Sequence, residues 1–387
     1  MIYLLINFFR PWLQAHHLGF LRLFLDVTFQ TTAATLISFV IVILFGPRTI
    51  RWLRLQKIGD HPNFDEEQMN KLMEGKKGVP TMGGILIIAA IAITVLTLAD
   101  LANFYVQMAL VCLVWLGGVG AVDDWLKLTS RLRTETSRQG LTSLEKLLFQ
   151  IGLAVVLAVF TYRYSNYPES HTLFFPFFKH SYIVLPMAAF IGMATLVLTG
   201  SSNAVNLTDG LDGLAAGCMA IASFAFVVLA LIAGSDDFSV GGRALTDYLY
   251  LPHIPASGQM AVLAGAMLGA CLGFLWFNCT PAQVFMGDTG SLALGGLLGY
   301  IAIVIRQELL LLIVGGVFAA EAISVMMQVS YFKYTRRKYG QGRRIFRMSP
   351  LHHHFQKLNW SEGQVVVRFW LVGAMLAMMA LATVKIR

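Results

Sequence analysis

The chain has 387 residues, 57% hydrophobic and 13% charged, with a mean hydropathy of +0.67. That balance excludes an ordinary soluble domain, since so much apolar surface needs a bilayer as well as a core. The formal net charge is +8. No stacking platform or nucleic-acid motif accompanies it, and anionic lipids and phosphorylated substrates attract the same charge.

The opening residues, MIYLLINFFRPWLQ, lack a basic start and a small-residue cleavage site, so they do not read as a signal peptide. Residues 1–27 are expected to form an extracytoplasmic or interfacial segment, and 28–387 one polytopic domain. Apolar runs fall at roughly 28–45, 82–99, 104–121, 144–161, 182–199, 214–234, 258–277, 290–305, 309–332 and 365–384. Most match the ~18 or more residues that cross a hydrocarbon layer; the run at 290–305 is short and rich in Gly. The fold class expected is an all-α integral membrane protein with about ten transmembrane helices.

An even number of spans returns both termini to one side. The segments 46–81, 122–146 and 333–368 hold about 21 of the 29 basic residues, which predicts that they are cytoplasmic and both termini extracytoplasmic. The stretches 201–213 and 278–289 fall on the same side. They carry Asp209, Asp212 and Asp288 and no Lys or Arg, so something other than loop charge selects them. Cys112, Cys218, Cys271 and Cys279 sit in or beside apolar runs without metal-ligand spacing and read as small buried hydrophobes.

In chain order, EGKKGVPTMGG sets Lys76, Lys77 and Thr81 before the second run. VDDWLK places Asp123 and Lys127 four apart, on one helical face, with Asp124 adjacent. Carboxylates at a helix C-terminus are opposed by the macrodipole, so a cation is expected beside them. In SSNAVNLTDGLDGLAAG, Asn203, Asn206, Asp209 and Asp212 recur every three residues. They would line one face of a 3₁₀ turn but wind around an α-helix. One helix cap needs one such residue, and here there are four. VFMGDTGS puts Asp288 before the Gly-rich run, either as an N-cap or as a hard oxygen ligand where a metal and phosphate meet. Asn278 and Phe285, on the same loop, could hydrogen-bond to and stack on a base. In RMSPLHHHFQ, His352, His353 and His354 lack the spacing of a helical zinc pair and suit phosphate binding or proton transfer. A solvated basic loop is the alternative for both the Lys and the His segments.

Brought together, these loops hold several carboxylates, amides, Lys and His. Such carboxylates avoid mutual repulsion only if cations intervene, and Mg²⁺ with Lys supplies that. There is no phosphate-binding G-x-x-x-x-G-K-[ST] loop. The combination points to phosphoryl transfer, on or to a lipid, at the cytoplasmic membrane surface.

VPTMGG, VDDWLK, NAVNLTDGLDGLAAG, VFMGDTGS and MSPLHHHF occur in an order that resembles the phospho-N-acetylmuramoyl-pentapeptide transferases. These lie within the wider polyprenyl-phosphate N-acetylhexosamine-1-phosphate transferase superfamily. The likeness runs from about residue 46 to the end of the sequence. It implies a ten-helix bundle in the bacterial cytoplasmic membrane, often a homodimer, with its site facing the cytoplasm. It implies Mg²⁺-dependent transfer of phospho-MurNAc-pentapeptide from UDP-MurNAc-pentapeptide to undecaprenyl phosphate, giving lipid I and UMP. By motif, Asp123 is the base for the lipid phosphate, and Asp124, Lys127 and His353 are the other catalytic positions. Asp288 is the metal ligand. Asn206, Asp209 and Asp212 match the nucleotide and sugar-phosphate region, and Asn278 and Phe285 the uracil contacts. Lys76 matches a phosphate-binding position; Thr81, Asn203, His352 and His354 lie in the matched motifs and join the substrate-binding set. The segment after the Asp pair is longer than is usual in the family, and Lys146 is given no role.

A transferase using UDP-GlcNAc or a related UDP-hexosamine is the alternative enzyme, and a transporter the alternative outside that class. Transporters show inverted repeats and mid-membrane charges. Here no repeat is visible, and Gly265, Gly269 and Gly273 look like helix packing.

Overall fold

A computed structural model describes residues 1–16, 19–56, 78–130, 140–165, 167–178, 181–234, 239–240, 243–249 and 251–386. Lys76 and Lys77 lie outside the described residues. Two short helices, α1 (Ile2–Phe8) and α2 (Arg10–Ala15), precede a 3₁₀ segment at Gly19–Leu25. Then follow α3 (Val27–Leu55), α4 (Gly84–Leu98), α5 (Phe104–Ser130), α6 (Ser143–Tyr164), α7 (Met187–Thr208) and α8 (Leu214–Gly234). After α9 (Leu245–Leu249) come α10 (Gln259–Asn278), α11 (Gly287–Val304), α12 (Glu308–Val314), α13 (Gly316–Tyr339), α14 (Leu351–Gln356) and α15 (Glu362–Ile386).

Every predicted apolar run is met by a helix, with three corrections. Among the described residues, eight helices are long and apolar enough to cross a membrane, or nine if α12 and α13, bent 86° apart, count as one span. At 15 residues α4 is too short to meet that measure. The run from 182 does not begin as helix: Tyr182–Val184 pairs with Thr172–Phe174 as an antiparallel hairpin. Pro186 then provides the extended residue from which α7 starts. The third correction is at the other end of α7, which continues nine residues beyond the apolar run, to Thr208.

The centre of the bundle is α10 and α11, the most buried of the long apolar helices among the described residues. Small residues permit this. A Cβ on Gly269 would overlap the Thr35 carbonyl oxygen of α3, and one on Gly273 would lie 2.9 Å from Val42 Cβ. The row Gly265, Gly269, Gly273 is thus a packing face, as its spacing predicts. Of the four cysteines, Cys112, Cys218 and Cys271 are buried; Cys279, at the end of α10, is exposed.

Candidate active site

The polar centre forms where the ends of α5, α7 and α11 meet. Gly120, one turn before the Asp pair, lets α5 touch the first turn of α11, since any Cβ there would overlap the Asp288 carbonyl oxygen. VPTMGG lies alongside VFMG through backbone bonds: Phe285 N to Pro80 O at 2.8 Å, Gly83 N to Phe285 O at 2.8 Å and Gly84 N to Met286 O at 2.9 Å. Thr81 is brought beside Gly287, whose φ of +74° suits glycine.

Asp123 is fully buried. Its Oδ2 is 2.7 Å from both Lys127 Nζ and Lys146 Nζ, and its Oδ1 accepts from Leu141 N at 2.7 Å. Asp288 Oδ2 meets the same two ammonium groups, at 3.0 Å from Lys127 and 2.6 Å from Lys146. Its Oδ1 accepts from Asn206 Nδ2 at 2.8 Å, and that amide also reaches Ser291 Oγ at 3.0 Å. Asp124 accepts from Asp288 N at 3.2 Å, Thr289 N at 2.9 Å and Thr289 Oγ1 at 2.7 Å. It therefore caps α11 from a different helix, and Asp288 itself is not the cap.

One carboxylate oxygen each from Asp123, Asp124 and Asp288 lies within 4.8 Å of the others. Three hard oxygen donors this close, two of them buried, could hold a metal ion. Here Lys127 and Lys146 supply the positive charge that lets Asp123 and Asp288 sit together. Asp209, the residue closing α7, lies close enough for Asp288 and Asp124 to affect it. Loss of water, then the charges of Asp288 and Asp124, push its carboxyl up to about 7, opposed by a bond from the Gly287 N–H.

The row of four spaced by three does not stay on one face, because α7 is α-helical through Asn206. Asn206 joins the carboxylates, whereas Asn203 turns to α6, donating to Gln150 Oε1 at 2.7 Å and Thr199 O at 2.8 Å. Asp212 accepts from Ala282 N at 3.1 Å. Asn278 is buried and joins two loops, accepting from Gly213 N at 3.0 Å and donating to Val284 O at 2.8 Å. Phe285 is half-buried on the same loop.

The histidines form a short helix instead of a solvated loop. His352 and His353 are buried, their rings 4.2 Å apart. His352 Nδ1 faces Glu321 Oε1 at 3.2 Å, and His353 Nδ1 faces Gln356 Oε1 at 2.8 Å. His354 is half-buried and accepts from Arg347 N at 3.1 Å.

Lys146 is the main residue missed in the sequence. The signal was there: LTSLEK is a capping box, with Thr142 and Glu145 bonded reciprocally, so α6 starts at Ser143 and holds Lys146 in its first turns. Gly140, at φ +88°, turns the chain tightly against Asp123 just before it.

These charged groups gather at the ends of apolar helices, and residues 106–306 match the model of glycosyl transferase family 4. A phospho-N-acetylmuramoyl-pentapeptide-transferase of Thermodesulfovibrio yellowstonii is 44% identical over 367 residues, 95% of this chain and 96% of its own. Another, of Desulfotalea psychrophila, is 44% identical over 368 residues, with the same coverage of both chains. The chain belongs to this family.

Proposed function

We propose that the chain moves phospho-MurNAc-pentapeptide from its UDP conjugate to undecaprenyl phosphate, releasing UMP and forming lipid I, in a Mg²⁺-dependent reaction. The observation that carries this reading is the meeting of Asp123, Asp124 and Asp288 within 4.8 Å, with Lys127 and Lys146 between them. Asp288 would hold Mg²⁺, which when bound neutralises diphosphate charge. Lys127 and Lys146 offer two ammonium groups to the phosphates. Asn206 fixes Asp288, and Asp124 fixes the helix that carries it. Asp209, Asp212, Asn278 and Phe285 line the region given to the uridine and sugar phosphate, with His353 and Lys76 as further phosphate partners.

Little covalent work falls to the protein, since phosphoryl transfer is mostly positioning and charge neutralisation. An oxygen of the lipid phosphate attacks the sugar-linked phosphorus. The bond from that phosphorus to the oxygen of UMP breaks, and UMP leaves with the electron pair. Asp123 takes the lipid phosphate's proton. Direct attack by the lipid phosphate needs no acyl-phosphate on Asp123.

An apolar groove of about 370 Å³ supports a lipid acceptor. It is lined by Met193, Val197, Ala204, Phe318, Ile323 and Met326, among others, and passes along α7 to Val205, next to Asn206. The basic segments support ten spans in a bacterial inner membrane, counting α4 and the α12–α13 pair, with the site in the cytoplasm and residues 1–27 outside.

The test supplies purified enzyme with undecaprenyl phosphate and Mg²⁺ and either UDP-MurNAc-pentapeptide or UDP-GlcNAc. UMP release with the first donor alone is expected. Release with UDP-GlcNAc alone would overturn the donor assignment. UMP exchange into the donor without lipid would overturn direct attack.

A further inference from the structure

Three polar residues of α13 are spaced by seven: Glu321, Gln328 and Thr335. Seven residues are nearly two helical turns, so all three lie on one face. All three are buried, which is unusual for side chains that could reach water. Each accepts backbone N–H groups from the segment leading to the histidines. Thr335 Oγ1 accepts from Arg343 N at 2.8 Å. Gln328 Oε1 accepts from Ile345 N and Phe346 N, both at 3.0 Å, while its Nε2 donates to Phe346 O at 3.1 Å. Glu321 Oε1 accepts from His352 N at 3.1 Å and also faces His352 Nδ1. The face works as a rail along which residues 343–352 are laid.

The rail ends at a ring with an unused atom. A carboxylate can only accept, so His352 Nδ1 carries the hydrogen and the tautomer is set. The other nitrogen, Nε2, is buried and has no hydrogen-bond partner. It packs against Gly210 so closely that a Cβ there would overlap it. Gly210 adjoins Asp209, in the turn given to the nucleotide. A buried nitrogen without a partner, at the edge of a phosphate-handling centre, points to a group supplied by substrate.

We infer that Glu321 is a positioning residue for the transfer, acting through His352 by fixing its place and its tautomer so that Nε2 is presented to the donor substrate at the Gly210 turn. This rests on the transferase reading above, and UMP release by the wild-type enzyme tests that reading separately. Glu321→Met keeps side-chain volume and removes the acceptor. It is expected to lower kcat/KM by roughly 10–100-fold, similar to His352→Ala. In a His352→Ala background the same change should add less than about threefold, because residues acting as one unit are not additive. Glu321→Gln keeps an acceptor oxygen and should remain within about threefold of wild type. Should Glu321→Met fail to give monodisperse protein, Glu321→Leu, which also removes the acceptor, supplies the same cycle with His352→Ala. Losses that multiply in either cycle would overturn the inference. So would a Glu321→Gln enzyme as impaired as Glu321→Met, or a Glu321→Met enzyme as active as wild type.

Discussion

Lys146 offers the sharpest perturbation, because its importance follows from the structure and not from its motif. Lys146→Met removes one of two ammonium groups that bridge Asp123 and Asp288. The lysine side chain is 18% exposed, against 45% for Lys127. Its charge is therefore less screened by water, and its loss is felt more. Removing one partner of a fully buried ion pair costs about 3–5 kcal/mol. Lys127 still touches both carboxylates, so roughly half of that, about 2 kcal/mol of stability, is the expected loss here. During transfer the lost charge faces developing phosphate charge, where one preorganised donor is worth about 10²–10³ in kcat. Lys146→Met is thus expected to lose about 100-fold in kcat, and Lys127→Met less. Steady-state UMP release, with a thermal melt on each sample, reads both effects. Lys146→Met within threefold of wild type, or Lys127→Met the more damaging of the two, would refute the reasoning.

Asp209 gives a dependence on pH in metal-free protein. An unfolded Asp loses its proton near pH 4 and the folded one near 7. Between these values the folded chain holds a proton that the unfolded chain lacks, so this group makes stability fall as pH rises. In EDTA, Asp209→Asn should match wild type near pH 4 and melt higher at pH 8; parallel melting curves would remove the effect. Gly120→Val forces a side chain into the Asp288 carbonyl and should destabilise by about 1–3 kcal/mol with loss of turnover; an unchanged melt would mean that α5 and α11 do not need this approach. For topology, a cysteine at Lys338 should be labelled from the cytoplasmic side and one at Tyr248 from the opposite side. Both positions are exposed, so equal labelling from one face would contradict the orientation.

Much of the bundle was legible because a bilayer leaves so few ways to place apolar runs. The breaks were not. Nothing in the hydropathy of 309–332 separates α12 from α13, and the 182–184 strand reads as apolar as any helix start. Within the site, Asp123 and Lys127 were legible because helix spacing alone joins them. Asn203 was not, because three-residue spacing leaves a helical face after one step, and the partner that claims it, Gln150, is on another helix. The role of Asp124 as a cap for α11 depends on a contact 165 residues away in sequence. Glu321 was hidden by distance as well, 31 residues before the histidine it faces.

The most direct measurement follows label from UDP-MurNAc-pentapeptide into the lipid phase across a Mg²⁺ titration, comparing wild type with Asp288→Asn. Asparagine keeps the size of aspartate and an acceptor oxygen but brings no charge to a metal. Wild type is expected to form labelled lipid and UMP one for one, with activity rising with Mg²⁺, and Asp288→Asn to form neither at any concentration. Equal turnover by the two proteins, or transfer that proceeds in EDTA, would contradict a metal-assisted transfer centred on these carboxylates.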